Sequence, residues 1–397
     1  MAEIRDTTSE EQRERLLRVL SAATFLIFFQ AYIVAPLIPR LATVFAVSGQ
    51  TIGLMVPAYM IPYGVSTLLY GLLSDRLGRR RIMLASLLAF VLLTALTATA
   101  QSAAQLIFWR LATGLGASGV VPLALALIGA LFPYAERGRP LGWLFGAMAG
   151  GMAFGSTFGA LIEPFIGWRA IFFLVSLLGA VVYGLLMPYQ RLLGDALTTT
   201  PGRLRELFAA YGNLLGPGRG RRTYAYVLLN AVFHSGVFTW LGVYFARRYG
   251  LGEFGIGLAL LGYGVPGFLF GPPIGRAADR WGRKWLVPAG LGIAALAAGV
   301  LIFDVSLVVA AIAVTLLSLG YDMTQPLLAG IVTGLGGPRS GQAMGLNVFT
   351  LFTGFGLGSL LFGAVLQLGF ETALALFSLV QLGAAIAALP LFRSETA

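Results

Sequence analysis

Twelve apolar runs punctuate this chain, near residues 17–38, 50–73, 82–100, 104–132, 140–162, 169–190, 224–246, 253–274, 286–303, 305–333, 341–367 and 371–392. Each approaches the roughly 20 residues that a helix needs to cross the ~30 Å hydrocarbon core of a bilayer. None shows the two-residue alternation of a barrel strand, and backbone in lipid must satisfy its own hydrogen bonds. The pattern therefore predicts an all-α integral membrane protein with twelve transmembrane helices. The longest polar interval, 191–223, holds a Thr run, Pro201, Gly216, Pro217, Gly218 and six arginines. It reads as a cytoplasmic linker between two six-helix bundles, residues 1–190 and 224–397. Residues 1–16 are polar and lack the short apolar core and small-residue cleavage site of a signal peptide, so the first run is expected to remain as a span.

Composition agrees with the pattern. Of 397 residues, 58% are hydrophobic and only 11% charged. A soluble domain runs nearer 45–50% apolar and about 25% charged, so a water-soluble enzyme is excluded. There is no cysteine and one histidine, His234, which leaves no thiolate chemistry and no histidine metal cluster. No metal or other cofactor is expected. The net charge of +11 would suggest nucleic acid in a soluble protein. Its distribution points elsewhere. With the N-terminus inside, the inner segments hold 22 of the 27 basic residues, including Arg76, Arg79–Arg81, Arg219–Arg222 and Arg276–Lys284. Only Arg40, Arg169, Arg247 and Arg248 fall outside, and Arg110 lies within a span. The positive-inside rule then places both termini in the cytoplasm of a cell-membrane protein and removes the need for a nucleic-acid partner.

The chain also repeats itself. A shift of 204 residues lays Ile52-Gly53-Leu54 on Ile256-Gly257-Leu258, Tyr59 on Tyr263 and Pro62 on Pro266. It also lays Gly71, Asp75, Arg76, Gly78 and Arg79 on Gly275, Asp279, Arg280, Gly282 and Arg283, without a gap. Six spans per unit is an even number, so the two halves share one orientation. They are related by a pseudo-two-fold axis along the membrane normal, with the substrate site between them near the midplane.

The stretch Gly71-Leu-Leu-Ser-Asp75-Arg76-Leu-Gly78-Arg79-Arg80-Arg81 resembles the loop-2/3 signature of the major facilitator superfamily. Gly275-Arg-Ala-Ala-Asp279-Arg280-Trp-Gly282-Arg283-Lys284 resembles its second-half copy. The resemblance implies that Asp75, and Asp279 in the other half, latch the bundles on the cytoplasmic side together with Gly71, Arg76, Gly78, Arg79, Arg280 and Arg283. A weaker likeness lies in Arg110-Leu-Ala-Thr-Gly114, which resembles the family's helix-4 pattern. Proton-coupled drug antiporters of the family carry a glycine-rich fifth span with a Gly-Pro pair; here Ser156 follows Gly155.

Two ionisable acid or base residues sit well inside spans, Arg110 in span 4 and Asp322 in span 10. Each costs roughly 2.5–3.5 kcal/mol at a helix centre, and residues so costly usually mark a pathway. Their depths differ by several turns, so they are not expected to pair directly. Asp322 is the candidate proton carrier or cation contact, Arg110 the modulator of coupling, and His234 a weaker third candidate. Packing alone is the alternative for each. Gln30, Tyr59, Tyr63, Asn230, Trp240, Tyr263, Tyr321, Gln325, Asn347 and Phe349 are read as lining a mostly apolar cavity. Glu163 and Arg169 are read as interfacial anchors.

These readings predict a monomeric secondary transporter working by alternating access on a small-molecule solute, in contact with membrane lipid. Proton-coupled efflux of small apolar or amphipathic compounds is expected. A symporter or facilitator for a metabolite and a lipid exporter are the alternatives. A membrane-embedded enzyme fails for want of a nucleophile–base pair, since adjacent His234 and Ser235 diverge on a helix. No Walker pattern is present to supply ATP chemistry.

Overall fold

A computed structural model describes residues 10–132, 138–193, 204–336 and 340–395. The side-chain surroundings of Gly71, Asp75, Gly275 and Asp279 lie outside that description. Among the described residues the chain forms sixteen α-helices and no strand. In order they are α1 (Glu10–Tyr32), α2 (Ile38–Phe45), α3 (Gly49–Gly53), α4 (Met55–Leu77), α5 (Arg79–Ala98), α6 (Ala103–Ala117), α7 (Val120–Leu131) and α8 (Gly138–Leu186). Then come α9 (Leu204–Leu215), α10 (Gly218–Tyr249), α11 (Glu253–Ala259), α12 (Val265–Trp281), α13 (Arg283–Val300), α14 (Leu307–Gly336), α15 (Ser340–Val365) and α16 (Phe370–Leu391).

The twelve predicted crossings can be traced onto these helices. Helix α8 has 49 residues, about 74 Å at 1.5 Å per residue, far more than one crossing. It turns at Gly167, whose φ of 77° is readily reached only by glycine, so α8 makes two crossings. Four crossings are interrupted: α1/α2, α3/α4, α6/α7 and α11/α12. The predicted linker holds helix α9, and α10 begins at Gly218, six residues before the span boundary read from hydropathy. The first arginine turn of α10 is the reason: it is helical but too polar to register as a span.

The repeat is visible in the backbone. Gly78 and Gly282, equivalent under the 204-residue shift, have φ of 92° and 82° and each joins one helix directly to the next. Gly167 and Gly369 serve the same way in the connections 5/6 and 11/12.

Small residues set the distances between helices, as expected where lipid supplies no hydrophobic drive. A Cβ on Gly151 or Gly155 would lie 2.5 or 2.4 Å from the carbonyl oxygens of Phe25 or Phe29, so α1 and α8 touch backbone to backbone. Gly354 and Gly358 of α15 do the same against Leu228 and Val232 of α10. Gly155→Ala should therefore cost about 1–3 kcal/mol through overpacking. Gly146→Ala, which meets nothing within 4 Å, should be neutral or slightly stabilising in a helix. Thermal unfolding in detergent separates the two; equal melting points would contradict the packing account.

The termini share one face of the molecule. There Arg139 binds Glu14 through two hydrogen bonds of 2.9 and 3.0 Å. Near the other terminus, Arg219 clamps Glu395 bidentately at 2.8 and 2.7 Å. Arg222 reaches both Glu395 and the Leu391 carbonyl, and the Lys284 N–H donates to the Glu395 carbonyl at 3.1 Å. The hydrogen bonds from Arg219, then those from Arg222, hold the Glu395 carboxyl below its ordinary range, although burial opposes them. A depressed folded pKa stabilises above the unfolded value of about 4.3, and that gain is lost as pH falls through the folded pKa. Glu395→Gln should thus lower stability at pH 7 by about 1 kcal/mol, the half-exposed Arg219 being screened. The difference from the parent should shrink in melting curves as pH falls below about 4.3 and vanish below the depressed folded pKa; a difference that stays constant with falling pH would contradict the clamp.

Candidate functional site

The two halves meet closely at the ends of their helices around Pro36, Leu161 and Ile61. A Cβ on Gly242 of α10 would lie 3.0 Å from Pro36, one on Gly257 of α11 would lie 2.8 Å from Leu161 of α8, and one on Gly356 of α15 would lie 2.4 Å from Ile61 of α4. The indole of Trp240 fills the space beside Gly53 and Gly363, and its N–H donates to the Ser359 carbonyl at 3.1 Å. Trp240 is thus part of this closure rather than of an open cavity. On the same face, buried Glu163 pairs with Arg40 of α2 at 3.1 Å, and Arg169 donates to the Ala100 carbonyl at 2.8 Å while stacking over Trp168.

Below the closure an aromatic row crosses from one half to the other. Tyr59 and Tyr63 of α4 stack with centroids 5.8 Å apart, and Tyr63 stacks on Phe352 of α15 at 4.3 Å. Phe352 touches Phe355, which meets Tyr321 of α14 and Tyr32 of α1. His234 of α10 stacks 3.9 Å from Tyr321, and its Nε2 hydrogen-bonds the Tyr263 hydroxyl. Tyr263 in turn stacks on Phe238 at 4.3 Å. Tyr59, Tyr63, Tyr263, Tyr321 and His234 thus converge. Tyr32, Phe238, Phe352 and Phe355 were missed from the sequence. Their one available signal was position: Phe352 and Phe355 share a face of the glycine-rich α15.

Arg110 is fully buried. The first crossing breaks after Tyr32, at a turn containing Pro36, which strands the last carbonyls of α1. Arg110 supplies the missing donors: Nη1 to the Gln30 carbonyl at 3.1 Å and Nη2 to the Ala31 carbonyl at 3.2 Å. Its Nε reaches the Met55 carbonyl at 3.4 Å, and its guanidinium lies 4.2 Å above the Tyr59 ring. A cation at a helix C-terminus is also favoured by the helix dipole.

Asp322 answers a second break. Helix α11 ends at Ala259, Gly264 adopts φ 82°, and α12 restarts at Val265 with Pro266 in its first turn. Ser318 accepts from the Gly264 N–H at 3.0 Å and donates to Asp322 Oδ2 at 3.2 Å. The carboxylate also accepts from the Gly267 N–H. Among the described residues, Arg110 and Asp322 form no ion pair.

The remaining expected residues divide. Gln30, Gln325 and Asn347 are buried; both amide atoms of Gln30 and of Gln325, and the Asn347 carbonyl oxygen, have no partner among the described residues. The hydroxyls of Tyr32, Tyr59 and Tyr63 share that condition. Asn230 instead belongs to the inside of the second bundle, donating to Thr324 at 2.9 Å and accepting from Gln381 at 3.2 Å. Phe349 meets the first half through its backbone, its carbonyl oxygen lying 3.1 Å from where a Cβ on Gly64 of α4 would stand. Of the expected latch, Arg76 and Arg280 are exposed, Arg79 is engaged, and the Arg283 guanidinium lies over Gly330 of α14. The side-chain surroundings of the acidic members, Asp75 and Asp279, lie outside the description, as do those of Gly71. A recess of about 560 Å³ lined by Thr99, Gln105, Phe108 and Trp109 opens at the start of α6, away from this row.

The chain matches the Major Facilitator Superfamily profile over residues 20–255 and again over 224–397. It is 27% identical over 357 residues to the MFS-type transporter YceJ of Bacillus subtilis (strain 168), covering 86% of this chain and 87% of that protein. It is 25% identical over 261 residues to a chloramphenicol resistance protein of Pseudomonas aeruginosa, covering 65% and 60%. Its fold is shared with the crystal structure of a bacterial homolog to the human lysosomal transporter Spinster, in an inward-facing and unoccupied conformation. That likeness has a TM-score of 0.74 at 17% identity and covers 98% of this chain and 96% of that one.

Proposed function

We propose that this chain, which belongs to the Major Facilitator Superfamily and is therefore a multi-pass membrane transporter of small molecules rather than an enzyme, exports small apolar or amphipathic solutes in exchange for protons. The observation that carries the reading is the seam between the halves. It is lined by rings and uncharged polar groups, with two charged groups beside it, the Asp322 carboxylate and the Arg110 guanidinium over Tyr59. Such a surface suits solutes that partition by ring contact and a few hydrogen bonds. Similarity to a chloramphenicol resistance protein supports export.

The proton gradient serves as the energy source, without a cofactor. The positive-inside bias supports a cell-membrane location with cytoplasmic termini. The closure around Pro36, Leu161 and Trp240 is then extracellular. Alternating access requires that closure to open and re-form in each cycle.

The test is reconstitution in liposomes with an imposed pH gradient, offering hydrophobic drugs, dyes and metabolites in turn. Accumulation of amphipathic drugs against their gradient, abolished by a protonophore, is expected. Uptake of a metabolite in the same direction as protons would replace export by symport, and solute movement indifferent to the gradient would replace it by facilitation.

A further inference from the structure

The eighth crossing is broken where it touches the other half of the molecule, and the groups that cover the break come from the tenth. The elbow Leu260–Gly264 carries two contacts with α8. Thr157 Oγ1 donates to the Leu260 carbonyl at 3.2 Å, and a Cβ on Gly264 would lie 2.1 Å from that of Ala153. Just past the elbow, α12 begins with unpaired N–H groups in a low-dielectric setting. Ser318 takes the Gly264 N–H and Asp322 takes that of Gly267, the residue after Pro266, which has no N–H to offer. The carboxylate fits closely: a Cβ on Gly267 would lie 2.8 Å from Asp322 Oδ1 and 2.9 Å from its Cγ.

The first half has no such device. The 204-residue shift places Ser318 on Gly114, Asp322 on Ser118, Gly264 on Met60 and Gly267 on Tyr63, and α4 is unbroken through that region. A helix break capped by a carboxylate at a contact between halves therefore belongs to one side only.

We propose that Asp322 and Ser318 form a proton-responsive cap on α12, so that proton binding at Asp322 releases the elbow and with it the contact between α12 and α8. This rests on the exchange of protons proposed above and names the part that responds to them. An anionic oxygen at a helix N-terminus is held by the dipole and by charge-assisted hydrogen bonds, roughly twice as strong as neutral ones. When a proton from the aqueous side forms an O–H bond on the carboxylate, both gains are lost. Ser318 then loses the anionic acceptor that orients its hydroxyl. The piece α12 remains joined through Gly264, whose conformation can change at little cost.

The groups facing Asp322 leave it as the charged member of the site. Tyr321 neighbours it on α14 and Tyr263 lies within electrostatic reach, while His234 stacks on Tyr321 and hydrogen-bonds Tyr263. The neighbouring elements bring no charge to these contacts: Ala153 and Thr157 of α8 meet the elbow, Gly290 of α13 meets Gly320, and Phe355 of α15 meets Tyr321. The basic residues Arg276 and Arg280 of α12 and Arg283 of α13 lie toward the face of the termini.

The experiment uses the natural absence of cysteine. Leu269→Cys on α12 and Phe145→Cys on α8, both exposed, take a unique pair of spin labels on the full chain in lipid nanodiscs. Pulsed distance measurements from pH 5 to 9 should show two populations whose ratio changes about tenfold per pH unit near a single midpoint. Asp322→Asn should hold the acid-side ratio at every pH. Gly267→Ala should do so too, because its methyl displaces the carboxylate while keeping the acid. An unchanged titration in Asp322→Asn, or a Gly267→Ala profile identical to the parent, would overturn the proposal. Proton flux in liposomes is scored separately. Coupled flux without any titration of the α12–α8 distance overturns this inference and leaves antiport standing; titration without coupled flux supports the cap and removes antiport.

Discussion

Arg110→Leu should leave the chain unable to hold its first crossing to the second and fourth. The substitution strips donors from the carbonyls of Gln30, Ala31 and Met55 and the cation from the Tyr59 ring. The Gln30 and Ala31 carbonyls end α1 within the bundle, where water cannot replace the guanidinium. Each buried carbonyl left unpaired costs about 1–3 kcal/mol, so the total loss is on the order of 3 kcal/mol even after relaxation. Arg110→Lys should fall between, because an ammonium keeps the charge but lacks the planar fork that reaches three acceptors. Size-exclusion profiles after a heating series provide the check. The leucine variant should lose its monodisperse peak well below the parent, with the lysine variant about 5 °C lower than the parent. A leucine variant as stable as the parent would remove the capping role. Arg110 acts first on helix geometry, so any transport defect should accompany a structural one.

Asp322→Asn should have the opposite profile. The amide is nearly isosteric and still offers an oxygen to the Ser318 hydroxyl and the Gly267 N–H, so the fold should survive. What it loses is the ability to carry a proton. Drug accumulation driven by a pH gradient should fall to the level of empty liposomes across pH 5–9, while exchange of labelled for unlabelled drug continues within a few-fold of the parent. Gradient-driven accumulation unchanged in Asp322→Asn would contradict the assigned role.

How far these features could be read in one dimension follows from their physics. The twelve crossings and the repeat depend on local hydropathy and on glycines, so Gly78 and Gly282 announced the two short inter-helix connections correctly. Arg110 and Asp322 stood out because a charge in lipid is costly. Their partners did not, since a backbone carbonyl or an N–H carries no residue signature. The breaks at Pro36 and Gly264 were equally hidden: apolar sequence continues across both, and they are tolerated because groups from other helices satisfy the freed backbone. Asn230 shows the reverse error. A polar residue at mid-span reads as cavity lining, yet Thr324 and Gln381 meet it inside one bundle. Glu395, two residues from the end of a polar tail, gave no hint that Arg219 and Arg222 bind it. The side-chain surroundings of the acidic half of the latch motif, Asp75 and Asp279, lie outside the description, and its role stays an expectation drawn from resemblance.

The most direct test of proton-for-solute exchange reverses the roles of the two gradients. Proteoliposomes are prepared at equal pH inside and out, loaded with a transported drug, and diluted into drug-free buffer while a pH electrode records the medium. If the two fluxes are coupled as antiport, drug leaving the vesicles draws protons inward against a growing gradient, so the medium turns alkaline until the gradients balance. A protonophore collapses the signal, and Asp322→Asn gives none. Drug efflux that runs to equilibrium in the parent without any protonophore-sensitive change of external pH would contradict the account.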